Sequence, residues 1–391
     1  MNKPFDVQTK KTLSYHWYII PVIFFLLFGL ADTLYLAWSH YKNYTDLTFS
    51  SFCALSKAIN CDTVSQSPWS ILLGLPLSYW GFFAYLLFLL LVLATLYRKN
   101  GSLHLWQCLF LLGLGYSMAS LYFAYISATK IKAHCILCLG SHAASFALFF
   151  LSWIILRRFC GGFSLHGLSR GVQYLLNSWP LKTSILVFVV AFLSLHTWLP
   201  PYWNFALPSL SSAVASGLTE EGHPWIGAEN PELTIHEYAD YQCFQCSKMH
   251  TFLRQLINEH PQKIRLVHHH YPMDHEFNNI IVPEPFHIGS GKMAMIAIYA
   301  VSKNKFWEMN DALYAMGREK EPFNTRTLAA MTGFTSGELA AATRHPQIRE
   351  ILLYDIRQGM KREIIGTPTF VIDDKVYAGS IPATILQTGL Q

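Results

Sequence analysis

Cys135-Ile136-Leu137-Cys138 stands where a polar stretch, Ser127 to His134, gives way to an apolar run that reaches Leu156. Read as a membrane helix, that run carries both cysteines on its first turn, at the bilayer surface. Residues i and i+3 share a helix face, so the two sulfurs can meet and bond. The unpaired N–H groups of a first turn favour an anion and stabilise a thiolate. Lys130, Lys132 and His134, just upstream, act in the same sense. The competing reading is two ordinary buried cysteines, and the rest of the chain has to decide between them.

Composition favours the membrane. The chain has 391 residues, of which 52% are hydrophobic and only 14% charged, too apolar for a soluble protein of this length. A span needs about 20 residues. The runs Trp17 to Trp38, Leu77 to Tyr97, Leu103 to Ile126, Cys135 to Leu156 and Thr183 to Leu199 read as five spans, the last the shortest. The first is too long for a signal-peptide core and is followed by no small-residue cleavage site, so it reads as an uncleaved anchor. The net charge of +5 is not clustered, and no nucleic-acid partner is expected.

The charges between the runs report orientation instead. Alternate loops hold Lys3, Lys10, Lys11, Arg98, Lys99, Arg157, Arg158, Arg170 and Lys182 on one side, against Lys42, Lys57, Lys130 and Lys132 on the other. Nine against four sets the N-terminus in the cytoplasm and everything after the fifth span outside. On this count Cys53 and Cys61, Cys135 and Cys138, and Cys243 and Cys246 all face the outer compartment. Cys108 lies within the third span and Cys160 on the inner side. Disulfide chemistry belongs outside the reducing cytosol, and the paired cysteines fall there.

Pro200 to Gly222 has linker composition. From about His223 the chain reads as a soluble α/β domain, with strands at Leu233 to Ala239 and Lys263 to His270. Helical patterns follow at Ser290 to Ala315 and Leu328 to Glu363. A closing hairpin runs from Thr369 to Ala378 and turns at Asp373-Asp374. The first strand leads through Asp240-Tyr241-Gln242 into Cys243-Phe244-Gln245-Cys246 and a helical stretch, which is the thioredoxin arrangement. Cys243 caps the helix and reads as the attacking thiolate; Cys246, one turn in, reads as the resolving thiol. A structural zinc half-site is the competing reading of Cys-x-x-Cys. Gly366-Thr367-Pro368-Thr369 looks like the thioredoxin-fold loop whose proline is cis, beside the active sulfurs, with an open backbone edge for an extended substrate. Glu237, six residues before Cys243, sits where this fold often carries a buried acid. Burial would raise its pKa and let it handle the proton of Cys246; the plain alternative is an edge-strand carboxylate in water. The long helical stretch and His269-His270-Tyr271-Pro272 resemble DsbA-like periplasmic oxidoreductases. His268 to His270 have metal-ligand chemistry, but strand alternation splits them between faces. A structural role is expected, and no metal site.

Cys53 and Cys61 lie eight residues apart in an outward loop, followed by Ser67-Pro68-Trp69 and Gly74-Leu75-Pro76. Together with Cys135-Ile136-Leu137-Cys138 heading the fourth span, these resemble the bacterial vitamin K epoxide reductase homologues fused to a thioredoxin-like domain after a fifth helix. The resemblance implies a catalytic bundle of four helices over residues 1–160, then a cytoplasmic loop, fifth helix and linker over 161–222. A periplasmic thioredoxin-like domain follows over 223–391. It also implies a bacterial inner-membrane enzyme that makes disulfides in exported proteins. Electrons would pass from reduced substrate to Cys243/Cys246, then Cys53/Cys61, then Cys135/Cys138, and on to ubiquinone or menaquinone beside Cys138. Cys53 is expected to meet Cys243, and Cys61 to meet Cys135. Ser67 would contact the quinone or steady its half-helix, or simply cap a helix before Pro68. His142 stands four residues beyond Cys138 where the family often has Tyr, and the second span carries no polar amide. Asp32, inside the first span, matches no family role. Two rival classes remain: a transporter carrying reductant outward from the cytosol, and a non-catalytic protein clamped by zinc.

Overall fold

A computed structural model of the chain describes residues 13–56, 58–96, 101–204, 207, 214–317, 323–388 and 390. Lys3, Lys10, Lys11, Lys57, Arg98 and Lys99, Tyr97 and part of the linker lie outside these residues. The chain forms two compact units, Met1–Asn43 with Ser50–Pro201, and Tyr44–Phe49 with Tyr202–Gln391.

The first unit is helical. Among the described residues five segments are long and apolar enough to cross a membrane: Tyr15–Thr45, Leu77–Leu96, Ser102–Ile131, Ile136–Cys160 and Trp179–Trp198. Within them run α1 (Tyr15–Thr45), α3 (Leu77–Leu96), α4 (Leu105–Ile126), α5 (Ile136–Cys160) and α7 (Trp179–Trp198). Short α2 (Cys61–Gln66) and a two-residue hairpin, β1 (Ile71–Leu72) with β2 (Leu75–Pro76), precede α3; α6 (Leu165–Asn177) precedes α7.

Val22 and Leu26 of α1, Phe88 and Val92 of α3, Leu105, Trp106 and Leu109 of α4, and Leu148 and Ile155 of α5 make one buried core. Gly113 brings α4 and α5 together, because a Cβ there would stand 2.9 Å from the Phe149 Cα. Polar groups at one end are satisfied internally, as a bilayer demands. Trp106 Nε1 donates to the Tyr15 hydroxyl (2.9 Å), which lies 2.7 Å from Thr95 Oγ1, which donates to the Val92 carbonyl (2.6 Å). On α7, Leu186, Val187, Val190 and Leu193 are exposed, the apolar surface that lipid would cover.

The second unit is a six-stranded sheet in the order β3-β4-β6-β5-β7-β8. Its strands are β3 (Ala215–Leu218), β4 (Pro224–Gly227), β5 (Leu233–Ala239), β6 (Ile264–His270), β7 (Thr369–Ile372) and β8 (Lys375–Ala378). Only β5 and β6 are parallel; the other pairs are antiparallel. The edge strand β3 comes from the stretch of linker composition, where Ser216 and Gly217 give little strand signal. The closing hairpin turns at Asp373 and Asp374, both at positive φ (48° and 60°), as a two-residue hairpin with right-handed strand twist requires.

Helix α8 (Phe244–Glu259) covers one face together with α14 (Ala383–Thr388). There Ile235, Leu266 and Phe370 pack on Leu253, Ile257 and Leu386. The helical stretch between β6 and β7 resolves into α9 (Ser290–Val301), α10 (Phe306–Gly317), α11 (Thr325–Thr332), α12 (Ser336–Ala342) and α13 (Pro346–Lys361), with a core of their own around Met293, Met309, Leu313 and Leu352.

Candidate active site

In the second unit β5 ends in a turn that delivers Cys243 to the N-cap of α8, where its sulfur accepts from the Cys246 N–H (3.4 Å). Cys246, one turn in, is fully buried. Hydrogen bonding from the Cys246 thiol lowers the Cys243 pKa, and the His287 charge and the cap N–H add to this against the opposing effect of burial. Burial and the neighbouring Cys243 push Cys246 well up. The attacking and resolving roles expected from the motif therefore have a physical basis: the half-buried sulfur is the more acidic one. The Thr367–Pro368 bond is cis, and Cys243 Sγ donates to the Thr367 carbonyl (3.4 Å). The free backbone edge here is narrow. The Pro368 carbonyl accepts from Gly379 N–H (2.8 Å) and the Gly366 carbonyl from Thr369 Oγ1 (2.7 Å).

Two residues that sequence reasoning gave no role organise this turn. Asp240 is buried and accepts at Oδ1 from Gln242 N–H (2.6 Å), and at Oδ2 from Met273 N–H (2.6 Å) and Ser290 Oγ (2.8 Å). His287 Nδ1 lies 3.1 Å from the same Oδ2. Burial opposes charge on His287, but Asp240 and Cys243 outweigh it and raise the imidazole pKa. An imidazolium so held supplies positive charge to the Cys243 thiolate. His287→Ala is therefore expected to move the alkylation midpoint of Cys243 to higher pH and slow its modification several-fold at pH 6. Mass-resolved iodoacetamide labelling across pH reads this; an unchanged profile would remove His287 from the electrostatics of the pair.

Glu237 is buried, as expected of the acid on the incoming strand, but the expected raised pKa is not found. His250 Nδ1 lies 3.2 Å from Glu237 Oε2 and its Nε2 3.0 Å from Asn310 Nδ2; His268 Nδ1 lies 3.5 Å from the same carboxylate oxygen. Burial pushes the carboxyl up, but the charge and hydrogen bonds of His250 and His268 prevail and hold it at about 2. A carboxylate that stays ionised at neutral pH does not sit poised to take a thiol proton. Its folded pKa lies below the unfolded value near 4.3. It therefore adds stability that is complete above that value and lost as pH falls towards about 2.

The first unit brings four of its six cysteines together. Cys53 and Cys61 form a disulfide, and Cys53, Cys61 and Cys135 share one buried cluster with Cys138 packed against it. Backbone pairing explains the meeting. Ile59 bridges His134, Asn60 N–H donates to the His134 carbonyl (2.9 Å), and His134 N–H to the Ala58 carbonyl (2.8 Å). The residues just before Cys61 are thus clipped to the residue just before Cys135. Asn60 then caps α2, its side chain accepting from Thr63 N–H (3.0 Å), while Asp62 is buried and accepts from Asn43 Nδ2 (3.0 Å) and Ser51 N–H (2.9 Å). Cys135 caps α5 as Cys243 caps α8, its sulfur accepting from Cys138 N–H (3.1 Å).

Beside this cluster lies a cavity of about 510 Å³ among α1, α2, α3, α4 and α5, walled mostly by apolar atoms and lined also by Cys61, Cys135 and Cys138. Ser67 and His142 line it, as does Tyr85, whose hydroxyl donates to the Ser141 carbonyl (2.7 Å). Ser67 does not cap the short helix after it: its hydroxyl donates to the Val64 carbonyl (2.8 Å). Ser65 and Ser78 also line the cavity, and their buried hydroxyls have no hydrogen-bond partner. Ser65 lies on the short α2 and Ser78 at the head of α3, and a lone serine in either place leaves no periodic signal, so neither was legible in sequence. Asp32 is buried: Ser141 Oγ donates to its Oδ2, and its Oδ1 has no partner.

Residues 20–153 match the Vitamin K epoxide reductase family, and residues 219–391 match a thioredoxin family. Among solved structures, a thioredoxin-like oxidoreductase from Silicibacter pomeroyi DSS-3 shares 22% identity, covering 44% of this chain and 91% of its own (TM-score 0.37). Pseudomonas aeruginosa DsbA2 shares 21%, covering 42% and 90% (TM-score 0.33), and BdbD from Bacillus subtilis 17%, covering 45% and 96% (TM-score 0.36). No curated protein matches the chain significantly. The paired cysteines and the two family matches support a thiol–disulfide oxidoreductase. The chain joins a vitamin K epoxide reductase family domain, at residues 20–153, to a C-terminal thioredoxin-like domain.

Proposed function

We propose that this chain oxidises thiols of exported proteins and delivers the electrons to a membrane quinone, with its N-terminus in the cytoplasm and the thioredoxin-like domain outside. The observation that carries the reading is the clip between Ala58–Asn60 and His134, which sets Cys61 beside Cys135 at the wall of an apolar cavity. A reduced substrate gives two electrons to the Cys243–Cys246 disulfide. The Cys243 thiolate then attacks Cys53, releasing the Cys61 thiolate, and Cys246 attacks Cys243 to resolve the mixed disulfide. Cys61 next attacks Cys135, and Cys138 leaves as the thiolate. Cys53 closes on Cys61 and releases the Cys135 thiolate; the electron pair then rests on Cys135 and Cys138, and a quinone would have to take it before the first unit is reset. One chain carries both partners of the first transfer, which raises their effective concentration to the order of mM.

The cavity suits a quinone. Its apolar walls accept a hydrophobic ring, the Ser65 and Ser78 hydroxyls are donors without partners, and Cys138 and His142 line the same space. A bound quinone supplies a two-electron, two-proton sink. Ser67 has spent its proton on Val64, so its oxygen serves only as an acceptor there. Thr367 offers backbone to an extended substrate once the Cys243 sulfur, which donates to its carbonyl in the free protein, is taken up in a mixed disulfide. The test is peptide oxidation by the full chain in bilayers with and without ubiquinone or menaquinone. Turnover beyond one equivalent per redox pair should require quinone. Sustained anaerobic turnover in quinone-free bilayers would refute the acceptor.

A further inference from the structure

The second unit holds a group of ligand-type side chains away from its cysteines. His223, His269 and Asp355 each present an atom that can bind a metal ion, and these atoms all lie within 4.8 Å of one another. They come from the β3–β4 turn, from β6 and from α13. The register brings the histidines together: Trp225 lies opposite Val267 in an antiparallel pair, so two residues further on His223 reaches His269. Their ring centroids are 4.1 Å apart. His269 and Asp355 are only 6% and 2% exposed.

The surroundings tie off the outer atom of each buried ligand and leave the other without a partner. His269 Nε2 lies 2.9 Å from His236 Nδ1, whereas its Nδ1 is buried with no hydrogen bond. Asp355 Oδ2 accepts from His270 N–H (3.1 Å), whereas its Oδ1 is buried with none, 3.6 Å from His223 Nδ1. Tyr238 stacks on the His269 ring (4.6 Å, 8°) and fixes its plane. An imidazole oriented through its far nitrogen and a carboxylate oriented through its far oxygen are how proteins steer metal ligands. A His223–Asp355 ion pair alone would leave the buried His269 Nδ1 unexplained. Sequence alternation gave His268 to His270 a packing role, which suits His268 and His270 on the other face against Phe306.

We propose that His223, His269 and Asp355 bind a zinc ion that staples the β3–β4 turn, β6 and α13 together. Two imidazoles and one carboxylate are a zinc-type set, with a fourth position for water, and they disfavour calcium or magnesium, which take oxygen. Bonds near 2.0 Å need ligand atoms roughly 3.3 Å apart, so from a spacing within 4.8 Å the group closes by up to about 1.5 Å. His223, 14% exposed on its turn and the most accessible of the three, would supply the movement.

The test uses the full, tag-free chain in detergent micelles with its thiols oxidised to disulfides or blocked with maleimide, because free cysteine pairs also take zinc. Zn²⁺ is titrated against a chromophoric chelator, and Co²⁺ serves as the spectroscopic probe. One equivalent of Zn²⁺ should bind with sub-micromolar affinity and raise the melting temperature. His223→Gln and Asp355→Asn should each weaken binding at least tenfold, and His236→Ala about ten- to a hundredfold. Absence of binding by the wild type at micromolar Zn²⁺ overturns the proposal whatever the variants do. So does equal binding by His223→Gln and Asp355→Asn with native circular dichroism, or a thiolate charge-transfer band in the Co²⁺ spectrum.

Discussion

Cys138→Ala is expected to bring quinone reduction driven by a reduced peptide down to background, a loss of roughly 10³-fold or more, as for removal of a nucleophile from a concerted set. Cys138 sits one turn into α5, packs against the cluster of Cys53, Cys61 and Cys135, and lines the apolar cavity. In the proposed sequence it is the last sulfur to carry the electron pair, and neither free thiol outside the relay among the described residues can substitute. Cys160 lies at the far end of α5, its Sγ donating to the Leu103 carbonyl (3.3 Å), and Cys108 lies within α4. Cys160→Ala should therefore keep the wild-type rate. The upstream transfers should survive in Cys138→Ala, so about one equivalent of peptide per remaining pair, Cys243/Cys246 and Cys53/Cys61, is oxidised before turnover stops. Anaerobic stopped-flow absorbance of the quinone, with quantitation of peptide disulfide, separates the two. Quinone reduction at the normal rate in Cys138→Ala would remove it as the terminal donor.

The chemistry-bearing parts of this architecture were legible because they depend on local patterns. Apolar runs of span length, Cys-x-x-Cys at two helix starts and Asp-Asp between two short strands each carry their physics within a few residues. What stayed hidden depends on contacts made across the sequence. The pull on Glu237 comes from His250 on α8 and His268 on β6, so its burial was foreseeable and its low pKa was not. His287 reaches Asp240 across a loop with no periodicity to mark it. The backbone clip at His134 joins residues more than seventy positions apart through N–H and carbonyl groups that every residue possesses, so no side-chain pattern announces it. Spacing showed that Cys53 and Cys61 were eight apart; the clip of Ala58–Asn60 on His134 is the ground for proposing Cys61 as the member that meets Cys135.

The proposed Cys61–Cys135 pairing is testable by trapping. In a Cys53→Ala/Cys138→Ala variant, Cys61 and Cys135 are each left without a resolving partner. A disulfide between them, once formed under a mild small-molecule disulfide oxidant, has no nearby thiol to open it. This species is expected to dominate, and peptide mapping by mass spectrometry would identify it. The mirror variant, Cys61→Ala/Cys138→Ala, asks Cys53 to make the same bond and should yield at least about tenfold less. Cys53 lies on the other arm of the loop, its sulfur 3.5 Å from Ser51 Oγ, and it is Asn60, next to Cys61, whose N–H is held on the His134 carbonyl. Exchange requires the attacking sulfur to approach along the axis of the bond it breaks, so a fixed neighbour outcompetes one that must first swing across the loop. Equal yields would mean that the loop moves freely enough to erase the clip. A dominant Cys53–Cys135 product would reverse the assignment, making Cys53 the inner sulfur and Cys61 the one that meets the thioredoxin-like domain.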